Sequence, residues 1–257
     1  MSDQPIIQIK NLSKFYDTKQ VLKSLSIDIY PGQVIGYIGP NGAGKSTTVK
    51  ILTGLIPDFM GEVIVDGMNL SENPQEIKKL IGYVPENAEI YDVLTPIEYL
   101  DFIGKLYNMQ EPILGERIIK LLTAFGLNAN INDRMDTFSK GMKQKVLLIA
   151  GIINNPKILI LDEPLSGLDA NAVILVKELI TRLSKEGKTI FYCSHMMDVV
   201  EKVSDRILLI SKGEIIADGT FESLKQNYND TLEQIFSKLT GREDSGVETE
   251  AIINAFE

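Results

Sequence analysis

The chain has 257 residues, 44% of them hydrophobic, enough to bury a full core as one large domain or two subdomains. Its 26 basic and 35 acidic side chains leave a net charge of -9, which argues against the broad basic face that nucleic-acid binding needs. No uninterrupted apolar stretch approaches ~18 residues, so no membrane span is predicted.

Met1-Ser2-Asp3-Gln4-Pro5 lacks the basic start and apolar core of a signal peptide. Ile6-Ile7-Gln8-Ile9 and Leu25-Ser26-Ile27-Asp28-Ile29 alternate like strands of a half-exposed antiparallel sheet. Val34-Ile35-Gly36-Tyr37-Ile38 is a β-branched, apolar run of strand length. Directly after it, Gly39, Pro40, Asn41, Gly42, Ala43, Gly44, Lys45, Ser46 and Thr47 fit the pattern G-x-x-x-x-G-K-[ST]. Such a loop curls so that successive backbone N–H groups face phosphate oxygens, and a helix N-terminus behind it adds partial positive charge. Thr48-Val49-Lys50-Ile51-Leu52 has no breaker before Gly54 and predicts that helix. Lys45 is placed to reach the terminal phosphates and Ser46 to ligate Mg²⁺. A nucleoside triphosphate is the expected ligand.

Val63-Ile64-Val65 and Ile81-Gly82-Tyr83-Val84 are two further predicted strands. Residues 87–153 carry no strand pattern. Thr95-Pro96-Ile97-Glu98 is a capping box with proline at the first helical position. Leu114, Ile118, Leu121, Leu122 and Phe125 lie on one helical face, and Met142, Val146, Ile149, Ala150 and Ile153 on another. These stripes predict packing surfaces of an inserted helical subdomain. Ile158-Leu159-Ile160-Leu161 then ends in Asp162-Glu163-Pro164. A buried strand with two acids at its C-terminal end stands where open α/β sheets bind ligands. One carboxylate can hold Mg²⁺ through water, and the other can orient and polarise an attacking water. Thr189-Ile190-Phe191-Tyr192 predicts another strand, in which Cys193, the lone cysteine, is a buried structural thiol suited to a reducing cytoplasm. A hairpin joins Ile207-Leu208-Leu209-Ile210 to Glu214-Ile215-Ile216-Ala217, and Leu232, Ile235, Phe236 and Leu239 form a short amphipathic helix. Beyond it Glu243, Asp244, Glu248, Glu250 and Glu257 face only Arg242, which predicts a solvated acidic end.

From about Ile6 to Gly219 the chain resembles the ATP-binding subunit of an ABC transporter. The resemblance implies an α/β fold: a P-loop NTPase core with a mainly parallel central sheet, an N-terminal antiparallel β subdomain and an inserted α-helical subdomain. The implied ATPase domain is 1–225 (core 1–86 and 154–225, helical subdomain 87–153), and a C-terminal helix and acidic tail fill 226–257. Within that family Asp162 matches the Walker B aspartate, which with Ser46 serves Mg²⁺, and Glu163 matches the catalytic glutamate. His195 matches the switch histidine and completes the implied catalytic set with Lys45; Tyr16 matches the aromatic that stacks on adenine. Ser166-Gly167-Leu168-Asp169 matches the D-loop, whose Asp169 belongs to the subunit contact. Phe138-Ser139-Lys140-Gly141-Met142-Lys143-Gln144 stands at the signature, keeping Ser139 and Gly141 of LSGGQ and departing from it at Lys140 and Met142. Glu86 occupies the Q-loop position of most relatives' glutamine, within reach of the nucleotide and its ion, and with this signature resembles exporter-type subunits.

The implied ligands are ATP and Mg²⁺. The implied partners are a separate transmembrane permease and a second copy or a paralogue, without nucleic acid, on the inner face of the cell membrane. A rival within the superfamily is an ATPase acting on ribosomes or chromosomes. Its relatives carry two cassettes with basic linkers or a long coiled coil, and this acidic chain has one cassette and a compact helical insertion.

Overall fold

The computed structural model describes residues 4–87, 90–228 and 230–241. Two long strands, β1 (Ile7–Tyr16) and β2 (Lys19–Ile29), pair antiparallel across a tight turn. β3 (Val34–Ile38) is buried along its whole length and feeds the glycine loop and α1 (Lys45–Leu52). β4 (Met60–Val65) and the short β5 (Met68–Asn69) return to the first sheet, whose strand order is β2-β1-β4-β5. After α2 (Pro74–Leu80) and β6 (Ile81–Val84) come α3 (Pro96–Leu106), α4 (Glu111–Ala124) and α5 (Lys140–Ile152), with no strand among the described residues of this insertion. The chain re-enters the sheet with β7 (Ile158–Asp162), α6 (Ala170–Lys185), β8 (Thr189–Cys193) and α7 (Met197–Val203). The hairpin of β9 (Arg206–Ser211) and β10 (Glu214–Gly219) follows, then α8 (Phe221–Tyr228) and α9 (Leu232–Thr240).

The second sheet runs β10-β9-β3-β8-β7-β6, parallel throughout except for β10 at its edge. Parallel strands covered on both faces need continuous apolar sequence rather than alternation, and β3, β7 and β8 supply it. Successive side chains still point to opposite faces. Leu159 and Leu161 of β7 therefore join the core shared with the helical insertion, while Ile158 and Ile160 join the core beneath the first sheet. β3, β7 and β8 all run toward the same sheet edge, and their C-terminal ends carry the glycine loop, Asp162 and Ser194.

In the insertion, Thr95 and Glu98 exchange both bonds of the capping box. Leu114, Ile118, Leu122 and Phe125 are buried, as are Val146, Ile149 and Ile153, with Leu121, Met142 and Ala150 packed beside them. Several expected boundaries differ. β1, β2 and β4 are longer than their apolar cores, because cross-strand pairing continues through polar residues, several of them exposed. α1 starts at Lys45 rather than Thr48, since the loop itself delivers the first turn. α2 was not expected: it is short, and only Ile77 is buried in it. The division at residue 225 falls inside α8, and Leu224, Leu232 and Ile235 are buried in the same core as Val199 and Val200 of α7. The acidic stretch from residue 242 onward lies outside the described residues.

Candidate active site

Phosphate chemistry is built around the start of α1. Gly44 caps it at φ 113, a backbone region closed to residues with a Cβ. The first turn of α1 holds no acid, so its unpaired N–H groups present positive potential to an anion. Lys45 is buried, and its Nζ donates to Gly39 O at 2.5 Å and Pro40 O at 3.2 Å. Burial lowers its pKa.

Opposite the loop stand the two acids. Asp162 closes β7 beside Cys193 of β8 and is 5% exposed. Burial, then the negative charges of Glu86 and Glu163, push its carboxyl up to about 6. Glu163 has φ 47, an uncommon conformation for a residue with a side chain. Its N–H donates to Cys193 O at 2.9 Å, and its Oε2 accepts from Ser194 Oγ and His195 N, both at 3.3 Å. His195 Nε2 lies 3.2 Å from Glu163 Oε1 but is not aligned as a donor, which leaves that oxygen buried without a hydrogen-bond partner among the described residues. Burial raises the Glu163 pKa against the opposing pull of His195. A strained, desolvated carboxylate with one open lone-pair face is suited to take a proton from water.

A cavity of about 260 Å³ joins these groups. It brings together Tyr16, Asn41, Gly42, Gly44, Lys45, Ser46, Thr47, Glu86, Asp162, Glu163 and His195. Gly39, Pro40 and Ala43 are not on its wall: the first two offer their carbonyls to Lys45, and the Ala43 N–H donates to Pro40 O. Tyr16 is 45% exposed at the cavity mouth, with Lys14 Nζ 5.1 Å from its ring centroid. Lys19 and Val21 also line the cavity, unforeseen from sequence. Their signal is register, because Lys19 is the cross-strand partner of Tyr16.

The donor set suits Mg²⁺. Ser46, Asp162 and Glu86 share the cavity wall, and the mutual repulsion that raises Asp162 is an excess of negative charge that a divalent cation offsets. No group of three or more His, Cys, Asp or Glu among the described residues forms a metal cage. Mg²⁺ does not require one, since it keeps several waters and is held by one or two carboxylates plus phosphate oxygens.

Ser139, Gly141 and Asp169 do not line this cavity. Ser139 caps α5 by accepting from Met142 N at 3.2 Å, and Asp169 caps α6 by accepting from Ala172 N at 2.9 Å. The two caps are neighbours, with Lys145 Nζ 3.2 Å from Asp169 Oδ2. The chain thus carries a second, separate cluster of the expected nucleotide-contacting residues.

The profile of the ABC transporter family matches residues 22–166. The linearmycin resistance ATP-binding protein LnrL of Bacillus subtilis (strain 168) is 37% identical over 215 residues, covering 84% of this chain and 69% of that protein. A solved structure of an ATP binding subunit of an ABC transporter superposes with a TM-score of 0.86 at 29% identity, over 91% of this chain and 99% of that one. A dimeric post-hydrolysis state of the ATP-binding cassette MJ0796, bound to ADP and Pi, gives a TM-score of 0.77 at 25% identity, over 83% and 98% of the two chains.

Proposed function

Because the chain belongs to the ABC transporter family as an ATP-binding and ATP-hydrolysing subunit, we propose that it powers export through a separate transmembrane protein by closing as a head-to-tail dimer over two ATP molecules. The observation that carries this reading is the split of the site. Loop, acids and histidine share one cavity, while the signature serine and glycine sit outside it. A second subunit is what brings a Ser139 and Gly141 to each cavity.

In that dimer the Lys45 ammonium and the α1 amides bind the β- and γ-phosphates, and Tyr16 stacks on adenine. Ser46 and Asp162 would hold Mg²⁺, with Glu86 beside them; when bound, the ion neutralises charge on the β- and γ-phosphate oxygens. Glu163 accepts a proton as water attacks the γ-phosphorus and the bond to the β,γ-bridging oxygen breaks, giving ADP and phosphate. His195, beside Glu163 and exposed toward the cavity, contacts the γ-phosphate. The α5 N-terminus of the opposite subunit supplies further N–H donors to the same group.

Two features support a membrane partner. Tyr91, Val93 and Phe102 are 64%, 60% and 43% exposed and form an apolar patch just beyond Glu86 in the chain, with Tyr91 and Phe102 in edge contact at 6.1 Å. Within the helical insertion the same segment is held to its later part: Met135 N donates to Leu94 O at 3.0 Å, and Lys143 Nζ of α5 donates to Asp92 Oδ2 at 3.1 Å. Among the described residues no helix is long and apolar enough to cross a membrane. The resistance named for the relative LnrL is the outcome that export would give.

Glu163→Gln tests the reading. The amide keeps the shape but cannot act as base, so turnover is expected to fall by about 10²–10⁴ with nucleotide affinity nearly intact and an ATP-bound dimer accumulating. Size-exclusion with and without ATP, beside a phosphate-release assay, checks it. Near-normal hydrolysis would reject Glu163 as the base, and a monomer that persists in ATP would reject the dimer.

A further inference from the structure

The start of α5 is tied to the segment that follows Glu163 by three side chains. Lys140 Nζ donates to Ser166 Oγ at 2.8 Å, Gln144 Nε2 donates to Pro164 O at 3.2 Å, and Lys145 Nζ reaches Asp169 Oδ2 at 3.2 Å. The backbones press together as well. A Cβ on Gly141 would stand 2.5 Å from Gly167 O, and the Lys140 stem lies over Gly167, 3.2 Å from where its Cβ would be. At the other end, Ser166 N donates to Glu163 O at 3.1 Å and Leu165 is buried, so the segment is continuous with the proposed base.

Among the lysines at this helix end, Lys140 is the odd one. Lys143 and Lys145 face Asp92 and Asp169, whereas Lys140 holds a neutral hydroxyl. It occupies the first helical position after the Ser139 cap, where the helix dipole disfavours a cation. Helix stability gives no reason for lysine there; the bond to Ser166 does.

We propose that Lys140 is a positioning residue that locks the signature segment to the residue 164–169 segment within one subunit, coupling the two nucleotide sites of the dimer. The proposal rests on the dimer reading above. Glu163 acts at the subunit's own ATP, and Ser139 and Gly141 act at the partner's. Through Ser166 and Lys140, a shift of Glu163 at one nucleotide moves the donors presented to the other. Coupling of this kind is a free energy between sites, and it is measured as cooperativity.

The test is phosphate release against ATP concentration for wild type, Lys140→Ala, Ser166→Ala, the double variant and Lys140→Arg. Wild type is expected to show a Hill coefficient approaching about 2, the number of sites, and each alanine variant a value near 1. Turnover should fall by about 3- to 10-fold in each, the worth of one hydrogen bond, with ATP affinity of the isolated subunit unchanged. The double variant should be no worse than either single, and Lys140→Arg, which keeps a donor, should restore cooperativity. If Ser166→Ala behaves as wild type while Lys140→Ala does not, the lysine acts by its charge on phosphate and the proposal is overturned. Losses that multiply in the double variant, or a wild type without cooperativity, overturn it equally. Should Glu163→Gln also fail to dimerise in ATP, the dimer reading falls first and takes this proposal with it.

Discussion

Two helix N-termini in this molecule are suited to a phosphate group, and their surroundings differ sharply. α1 begins inside a cavity, where its own buried Lys45 and the Ser46 hydroxyl meet three acids, Glu86, Asp162 and Glu163, at and beyond the ends of β6 and β7. α5 begins at the surface: Ser139 is exposed, and its hydroxyl accepts only the Met142 N–H of its own helix. Neither first turn carries an acid, so both attract anions. Among the described residues only the first stands in a cavity that also holds a candidate base, Glu163. On the dimer reading proposed above, binding belongs to a single subunit and hydrolysis to a pair.

The strongest way to break that division is to damage each end separately. Lys45→Ala removes the cation matched to the β- and γ-oxygens, and loss of triphosphate binding to the isolated subunit is expected. In the proposed dimer, Ser139→Arg places bulk where the opposite γ-phosphate would dock. It should leave binding to the isolated subunit intact and lower hydrolysis by about 10²–10³, the scale of losing preorganised donors. Nucleotide titration on each variant, followed by phosphate release, separates the two. If Ser139→Arg abolishes binding to the isolated subunit, the α5 terminus serves its own chain and the comparison collapses.

The two ends also differ in how far sequence reveals them. The loop around Lys45 is contiguous, and the acids at the end of β7 follow four apolar residues, so local pattern is enough. The inserted helices were legible for a similar reason, since their stripes repeat at helical spacing and became buried. What joins distant segments was not legible. Lys19 and Val21 reach the cavity through the β1–β2 register, which has several bulges, and no short pattern encodes it. The clasp between Lys140 and Ser166 spans 26 positions and depends on the close approach of two glycines. α2 escaped notice because a single buried Ile77 makes no stripe, and the packing of α8 and α9 through Leu224, Leu232 and Ile235 is likewise a long-range contact that no short pattern encodes.

Charge offers a second, smaller test of the complete end. The Asp162 carboxyl titrates at about 6 in the folded chain against 3.8 as its ordinary value. Between those values the folded protein keeps a proton that the unfolded chain releases, so stability falls as pH rises through the window. The cost is fully present above about pH 6 and amounts to something on the order of 3 kcal/mol, two pKa units and slightly more. Asp162→Asn removes it. The variant should melt at a higher temperature than wild type above pH 6 without nucleotide and should match wild type near pH 4, while losing most of its hydrolysis. Equal melting temperatures at pH 7 would mean that the site tolerates its negative charge without penalty.

The smallest expected effect lies at Glu86, which lines the cavity and precedes the exposed Tyr91 and Val93 in the sequence. Glutamine can both donate and accept, whereas ionised glutamate only accepts. A third carboxylate beside Asp162 and Glu163 attracts a divalent ion but repels the γ-phosphate, so the two influences on chemistry oppose each other. On the proposed reading its link to the helical insertion has no such cancellation: Asp92 and Leu94, held by Lys143 and Met135, follow it in the sequence. Glu86→Gln is therefore expected to leave the basal rate of the isolated subunit within a few-fold of wild type, and Glu86→Ala to weaken stimulation by the reconstituted membrane partner. Both rates are to be measured on the same preparations, with and without that partner. If Glu86→Ala stops the isolated subunit as fully as Glu163→Gln does, Glu86 is part of the chemistry, and the cavity holds three working acids rather than two.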